Sequence, residues 1–258
     1  MLRPRIIPCL LVHDGGLVKT VGFKDPKYVG DPINAVKIFN EKEADELIVV
    51  DIDASVNGAE PNYRLISQFA AECRMPLCYG GGITNAEQAR RIIGLGVEKI
   101  AIGAAAQADP TLLTRVACAV GSQSVVAVLD ARRKGGDWEV FTHNGAKRAS
   151  KSVVAAARQA QDAGAGEILV NSIDQDGRMK GYDLDLAKQV RAAVRIPMTV
   201  LGGAGSLADV GRLFTACGVI GAAAGSLFVF KGAYRAVLIS YPDPTQKESL
   251  FAAMQSSA

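Results

Sequence analysis

Eight short runs rich in valine, isoleucine and leucine recur along the chain, with helical segments between them. They cover 5–12, 46–52, 76–79, 98–102, 124–130, 167–171, 197–201 and 219–223. None alternates strictly between apolar and polar residues, which is the pattern of parallel strands covered on both faces. The intervening segments carry helix-start signals. Asp31-Pro32 and Asp109-Pro110 each read as an N-cap followed by proline at the first helical position. Thr84 with Glu87 fits a capping box, and Ser206 with Asp209 a weaker one. Ile33, Val36 and Phe39, then Leu65, Ile66 and Phe69, repeat at helical spacing and are expected to face the strands. Eight such units in 258 residues predict an α/β chain closed into a (β/α)8 TIM barrel, one domain over 1–258. An open doubly wound sheet is the other architecture compatible with the alternation.

The chain also repeats itself at an offset of 121 residues. Glu46-Leu-Ile-Val-Val corresponds to Glu167-Ile-Leu-Val. Met75-Pro76-Leu77 before Gly80-Gly81-Gly82 corresponds to Ile196-Pro197-Met198 before Gly202-Gly203-Ala204-Gly205. Two glycine loops in register with two strands predict two similar half-barrels, about 1–120 and 121–240, followed by a C-terminal helical tail.

Composition narrows the function classes. With 49% hydrophobic and 21% charged residues the chain is globular. A net charge of +3 without a basic block argues against nucleic acid as a partner. The five cysteines, Cys9, Cys73, Cys78, Cys118 and Cys217, form no CxxC pair, and His13 and His143 are the only histidines. No metal site and no cofactor are expected from them. A reducing cytoplasm is the simplest setting, since neither a signal peptide nor a membrane span is evident.

In a (β/α)8 barrel the chemistry lies at the C-terminal ends of the strands. The loops 80–82 and 202–205 lie there. Gly81, Gly82 and Gly203 would let ligand oxygens approach backbone N–H groups, with helix N-termini behind them. Tight turns without a ligand are the plain alternative. Paired loops suit a ligand with a phosphate at each end. Asp176-Gly177 and Gly225-Ser226 can complete the second phosphate site, whereas Gly103-Ala104, in the matching place of the first half, offers no hydroxyl. Asp51 and Asp130 end their strands and are candidates for proton transfer or for loop bracing. Lys19 follows the first strand on a loop opened by Asp14-Gly15-Gly16, placed either to hold an anion over the mouth or to stay in solvent. His13 and His143 show no partner pattern and are assigned nothing. At the opposite end, Arg5, Glu46, Lys99 and Glu167 begin four strands and can form a ring of ion pairs, with Glu98 nearby. Charge at a barrel bottom usually serves stability. A charged ring across the axis of a barrel that side chains normally fill suggests a plug or gate.

The segments RIIPCLLVHDGGLVK, DELIVVDIDAS, YGGGI, GAGEILVNSIDQDG and GGAG together resemble the cyclase subunit of imidazole glycerol phosphate synthase, from residue 1 to about 230. That resemblance implies a two-half barrel with a class I glutaminase docked at its bottom. Ammonia passes along the axis to a phosphoribulosyl-formimino-carboxamide ribonucleotide at the top. It also implies that Arg5, Glu46, Lys99 and Glu167 are the ammonia gate. Asp130, Lys19, Asp51, Asp176, Gly177, Gly82 and Gly203 match functional positions of the family. The family's other catalytic aspartate falls at Leu11, which cannot move a proton, and its polar phosphate ligands fall at Gly103, Ala104 and Leu201. This departure resembles a branch of cyclase-like barrels associated with surface-polysaccharide biosynthesis. Those barrels, with a glutaminase, are thought to deliver ammonia to a third, ATP-dependent amidotransferase that makes acetamidino sugars. The alternative readings are a working histidine-pathway cyclase, a phosphoribosyl isomerase of the sister family, and an unrelated aldolase-type barrel. The last lacks an evident Schiff-base lysine on a late strand, and the isomerase has no need of the gate.

Overall fold

The strand at Arg5–His13 (β1) pairs in parallel with Leu47–Asp51 (β2), and the order continues through Leu77–Gly80 (β3), Lys99–Ile102 (β4) and Val125–Lys134 (β5). Glu167–Ser172 (β6), Met198–Leu201 (β7) and Gly221–Ala224 (β8) complete it. β8 returns to β1 and β5 pairs with β6, so the eight parallel strands close into a barrel. This computed structural model describes residues 3–150, 152–232 and 234–255. The helices Pro32–Glu41 (α1), Tyr63–Glu72 (α2), Ala86–Gly94 (α3), Thr111–Val120 (α4), Val153–Asp162 (α5), Leu184–Ala193 (α6), Leu207–Cys217 (α7) and Pro244–Gln255 (α8) accompany the strands. No helix among the described residues is long and apolar enough to cross a membrane.

Each strand has two sides, and the two sides build separate cores. The outward residues, among them Ile6, Leu10, Leu47 and Tyr79, pack under the helices against Val36, Phe39, Ile66, Phe69 and Phe214. Burying one such side chain contributes about 1.5–3 kcal/mol. The inward residues form a second, smaller cluster of Ile7, Cys9, Ile48, Cys78, Ala101, Val126, Leu169 and Ala223. Four of these are alanine or cysteine, and the lining of the axis is apolar.

Local sequence signals set the helix starts. Asp31 accepts a hydrogen bond from Asn34 N, with Pro32 at the first position of α1. Ser206 and Asp209 make a complete capping box on α7. The start expected at Asp109-Pro110 is corrected by one residue: Pro110 takes the N-cap position of α4 and Thr111 begins it, while Asp109 Oδ1 still accepts from Thr111 N at 3.0 Å. The capping box expected of Thr84 and Glu87 is corrected by one residue. Asn85 is the N-cap of α3 and accepts from Gln88 N, whose Oε1 reaches back to Thr84 N at 2.8 Å. Asparagine and serine-type caps are near-equivalent, and the shifted frame also satisfies the preceding N–H.

Two features go beyond the expected strands. β1 continues into an antiparallel hairpin, Gly16–Val21 with Lys24–Gly30, and β5 into another, Asp137–Thr142 with Lys147–Ser150. The segment carrying Lys19, expected as a loop, is therefore a strand over the barrel mouth. At the other end, Tyr241 Oη donates to Ile6 O at 2.7 Å and Lys247 Nζ lies 2.9 Å from Asp45 Oδ1. With Phe251 against Phe214, these contacts fasten the C-terminal segment to the barrel.

Ser206→Ala removes the side-chain half of the α7 capping box. It is expected to cost about 1 kcal/mol in denaturant unfolding, with an unchanged m-value.

Candidate functional site at the barrel mouth and axis

The C-terminal ends of the strands surround a cavity of about 160 Å³, room for roughly ten water-sized molecules. Leu11, Val50, Val128 and Leu201 make its lower wall apolar, because they continue the inward face of their strands. Leu11 lies opposite Val50, and no acid replaces it on β1 within the cavity.

Asp130 lies directly across from Asn171 in the β5–β6 register and accepts from Asn171 Nδ2 at 3.0 Å. Burial raises its pKa to about 7 even though the Asn171 hydrogen bond pulls the other way. A carboxyl titrating there suits proton transfer at neutral pH. Asp51 also lines the cavity, but its Oδ1 accepts from Asp53 N and Ala54 N at 2.9 and 3.1 Å. In this geometry it braces the loop after β2.

Lys19 points inward from its hairpin, is only 5% exposed, and donates from Nζ to Cys9 O at 2.7 Å. Burial lowers its pKa, opposed by Cys9 and Asp176. The alternative of a lysine in solvent is thus set aside. Asp176 ties the same hairpin down: its Oδ2 accepts from Thr20 Oγ1 at 2.7 Å and from Phe23 N at 3.3 Å. Burial raises the Asp176 pKa.

The glycines divide. Gly81, Gly177, Gly203 and Gly225 line the cavity, together with Ser226. At Gly81, φ is +125° and a Cβ would sit 2.6 Å from Asp51 O, so only glycine fits. At Gly225 a Cβ would sit 2.6 Å from Lys19 Nζ. Gly82 lies behind the wall, packed towards Ala59 O, and does not face the cavity. Gly103 and Ala104 offer no side-chain donor at the mouth, as their types require.

His13 has partners the sequence did not suggest. Its Nδ1 lies 2.7 Å from Asp53 Oδ1, a hydrogen bond that raises the His13 pKa. His13, Asp14 and Asp53 bring ligand-type atoms within 4.8 Å of one another, outside the cavity. His143 and Asn144 form the tip of the second hairpin. Asn144 Nδ2 donates to Ile52 O at 3.1 Å, which bridges the mouth from one side to the other.

At the bottom of the axis the four charged residues meet. Arg5 bonds Glu46 through Nη1, and its Nη2 lies 2.7 Å from Glu167 Oε1. Lys99 Nζ is 2.9 Å from both Glu46 and Glu167. The carboxylates are nearly sealed, at 4% and 6% exposure, while Lys99 keeps 19% and Arg5 26%. Burial works against the charges of Arg5 and Lys99, but Glu167 and Glu46 outweigh it and raise both pKa values. Burial likewise opposes the Glu167 carboxylate, and Arg5 and Lys99 overcome it, lowering its pKa. Thr199 Oγ1 joins by donating to Glu167 Oε1 at 2.6 Å. Glu98 stands outside the ring and accepts from Leu77 N at 2.7 Å.

Asn171 and Thr199 were not singled out from the sequence. Asn171 was findable, because it is four residues along β6 from Glu167 and a strand's inward face has period two. Thr199 required the barrel to be closed.

Fold and site together define a (β/α)8 barrel with a ligand-type mouth at the strand C-termini and a charged ring at the opposite end of an apolar axis. Residues 5–235 match the protein family described as "Histidine biosynthesis protein". A protein of Hyphomonas neptunium named imidazole glycerol phosphate synthase subunit HisF is 44% identical over 230 residues, 89% of this chain and 91% of its own length. Two relatives provisionally given that subunit name are nearer. That of Leptospira borgpetersenii is 54% identical, covering 97% of this chain and all of its own. The hisF2 protein of Pseudomonas aeruginosa is 55% identical, covering 94% and 97%. The chain belongs to this family, as a barrel of the HisF type.

The Asp130 carboxyl binds its proton more tightly folded than unfolded, so its contribution to stability is full in acid and is lost as pH rises towards 7. Asp130→Asn should therefore gain on the wild type between pH 5 and 8, by about 2 kcal/mol, in denaturant unfolding.

Proposed function

We propose that this barrel conducts ammonia rather than cyclising a ribonucleotide. A glutaminase docked below the Arg5–Glu46–Lys99–Glu167 ring releases ammonia, the ring gates it, and the apolar axis carries it to the mouth. A third, ATP-dependent amidotransferase then consumes it, converting an acetamido sugar into an acetamidino sugar for a surface polysaccharide.

The observation that carries the reading is the contrast between the two ends. The floor holds a complete four-charge ring, which a barrel needs no part of for closure. The mouth presents Leu11 where the cyclase mechanism wants a second acid. General acid–base groups each contribute typically 10²–10⁴ in rate, so losing one of two is crippling. The axis between the ends is lined by Ile7, Cys9, Ile48, Cys78 and Ala101, which offer little that would hold a small neutral molecule back. Relatives at 54–55% identity whose subunit names are provisional fit a diverged group.

One observation favours the alternative, a working cyclase subunit (a lyase) of histidine biosynthesis. Asp130 remains, with a pKa of about 7, and Lys19, Asp176 and the glycine loops still surround a mouth that suits a small phosphorylated ligand.

Cyclase turnover with free ammonium salt decides between the two, because it needs no glutaminase. The expected result is no measurable imidazole glycerol phosphate, with partial recovery in Leu11→Asp. Recovery stays partial because Gly103, Ala104 and Leu201 leave the phosphate sites short of donors. Wild-type turnover of about 1–10 s⁻¹, ordinary for an enzyme, overturns the conduit reading.

A further inference from the structure

Where the apolar axis opens into the mouth, one buried acceptor is left without a donor. Asn171 Nδ2 donates to Asp130 Oδ1 at 3.0 Å, which turns the amide oxygen away from that carboxyl. Its Oδ1 then has no hydrogen-bond partner among the described residues, although Asn171 is only 5% exposed and lines the cavity. A buried acceptor left unmade loses its hydration with nothing in return. Two donors of the same cavity are engaged elsewhere, Lys19 Nζ on Cys9 O and Thr20 Oγ1 on Asp176, while the unpartnered Ser172 Oγ belongs to the next residue, on the opposite side of the strand. Directly beneath, the inward residues of the same two strands are Leu169 and Val128. A donor-rich species small enough to come up that axis would meet Asp130 and Asn171 first.

We propose that Asp130 and Asn171 form a holding site for one ammonia molecule, captured as ammonium at the outlet of the axis. The inference rests on the conduit reading for the source of the ammonia, though not for the binding itself. Ammonium has four N–H donors and no acceptor, which complements the Asp130 carboxylate and the free Asn171 Oδ1. The capture is a proton transfer. The lone pair of arriving ammonia takes the proton of the neutral Asp130 carboxyl; the O–H bond breaks, an N–H bond forms, and a carboxylate–ammonium pair remains. Reversal returns the proton to Asp130 and releases neutral ammonia to the acceptor above. Burial already keeps that proton on Asp130 up to about pH 7. The other titratable groups around this mouth are Cys9 on β1, Lys19 on the first hairpin, Asp51 after β2, His143 on the second hairpin and Asp176 after β6. None of their side chains hydrogen-bonds Asp130.

The site holds a charge in place of a hydrated ion, so it retains ammonia that would otherwise leave by the open mouth. It gives Asp130 a use that survives the loss of its partner acid at Leu11.

The test is ammonium binding to the full chain alone, followed by NMR at pH 8 through the Asn171 side-chain amide and the Ser172 backbone amide. Ammonium chloride should give saturable shifts at both, and sodium chloride at equal ionic strength should not. Asp130→Asn keeps the shape but not the charge, and should weaken binding by about tenfold or more. Asn171→Leu should abolish the Ser172 response. Shifts that rise linearly, that potassium chloride reproduces, or that Asp130→Asn leaves unchanged overturn the holding site. Absent binding alongside intact nitrogen transfer in the assembled system removes this site and spares the conduit. Saturable binding without any transfer does the reverse.

Discussion

Two carboxylates and two cations share the floor of the barrel, and the register of the strands is locked by them. Glu46 and Glu167 are almost fully sealed, and a carboxylate in that position costs several kcal/mol unless it is paired and hydrogen-bonded. Each has both Arg5 and Lys99 as partners, so removing one member leaves an uncompensated charge. The four residues come from the starts of β1, β2, β4 and β6, so those strands must begin at one height. A slip of one residue on any of them would turn its charge into the helix layer and an apolar residue onto the ring.

That fixed height propagates upward two residues at a time. Above Glu167 come Leu169 and Asn171; above Arg5 come Ile7, Cys9 and Leu11. The same alternation that closes the floor therefore decides which residues face the mouth. Asp130 meets Asn171 because β5 and β6 pair at that level, and Leu11 meets Val50 because β1 and β2 do. At that level β5 carries the carboxyl of Asp130 and β1 the apolar Leu11, above inward residues that are apolar.

Much of this was legible in the sequence. Eight valine- and isoleucine-rich runs separated by capped helices leave few architectures open, and the 121-residue offset placed the two glycine loops at equivalent strand ends. The floor was legible too, since Arg5, Glu46, Lys99 and Glu167 all stand at or just before the starts of strands whose other inward-facing residues are apolar. The hairpins were not. One arm of each carries buried apolar residues, Leu17 and Val18 in the first and Trp138, Val140 and Phe141 in the second, but the segments paired with them, Lys24-Asp-Pro-Lys27 and Arg132-Arg-Lys134, are polar and do not read as strands. The placement of Lys19 depended on that hairpin, and so escaped. The His13–Asp53 contact joins residues 40 apart from two loops, and Thr84 and Asn85 are neighbouring residues that can both cap a helix, asparagine ranking the higher.

The central claim is that the ring controls the passage of ammonia and is not only a brace, and Lys99→Ala tests it most directly. In the system assembled with glutaminase and acceptor enzyme, the quantity to measure is nitrogen transferred per glutamine hydrolysed, with circular dichroism and glutaminase affinity followed in parallel. Removing one cation from a buried network is expected to lower stability somewhat in either case. The account predicts that the ratio falls in molecules that remain folded and bound to glutaminase. A ratio equal to wild type, with only the melting temperature reduced, would contradict it and leave the ring as packing at the barrel floor.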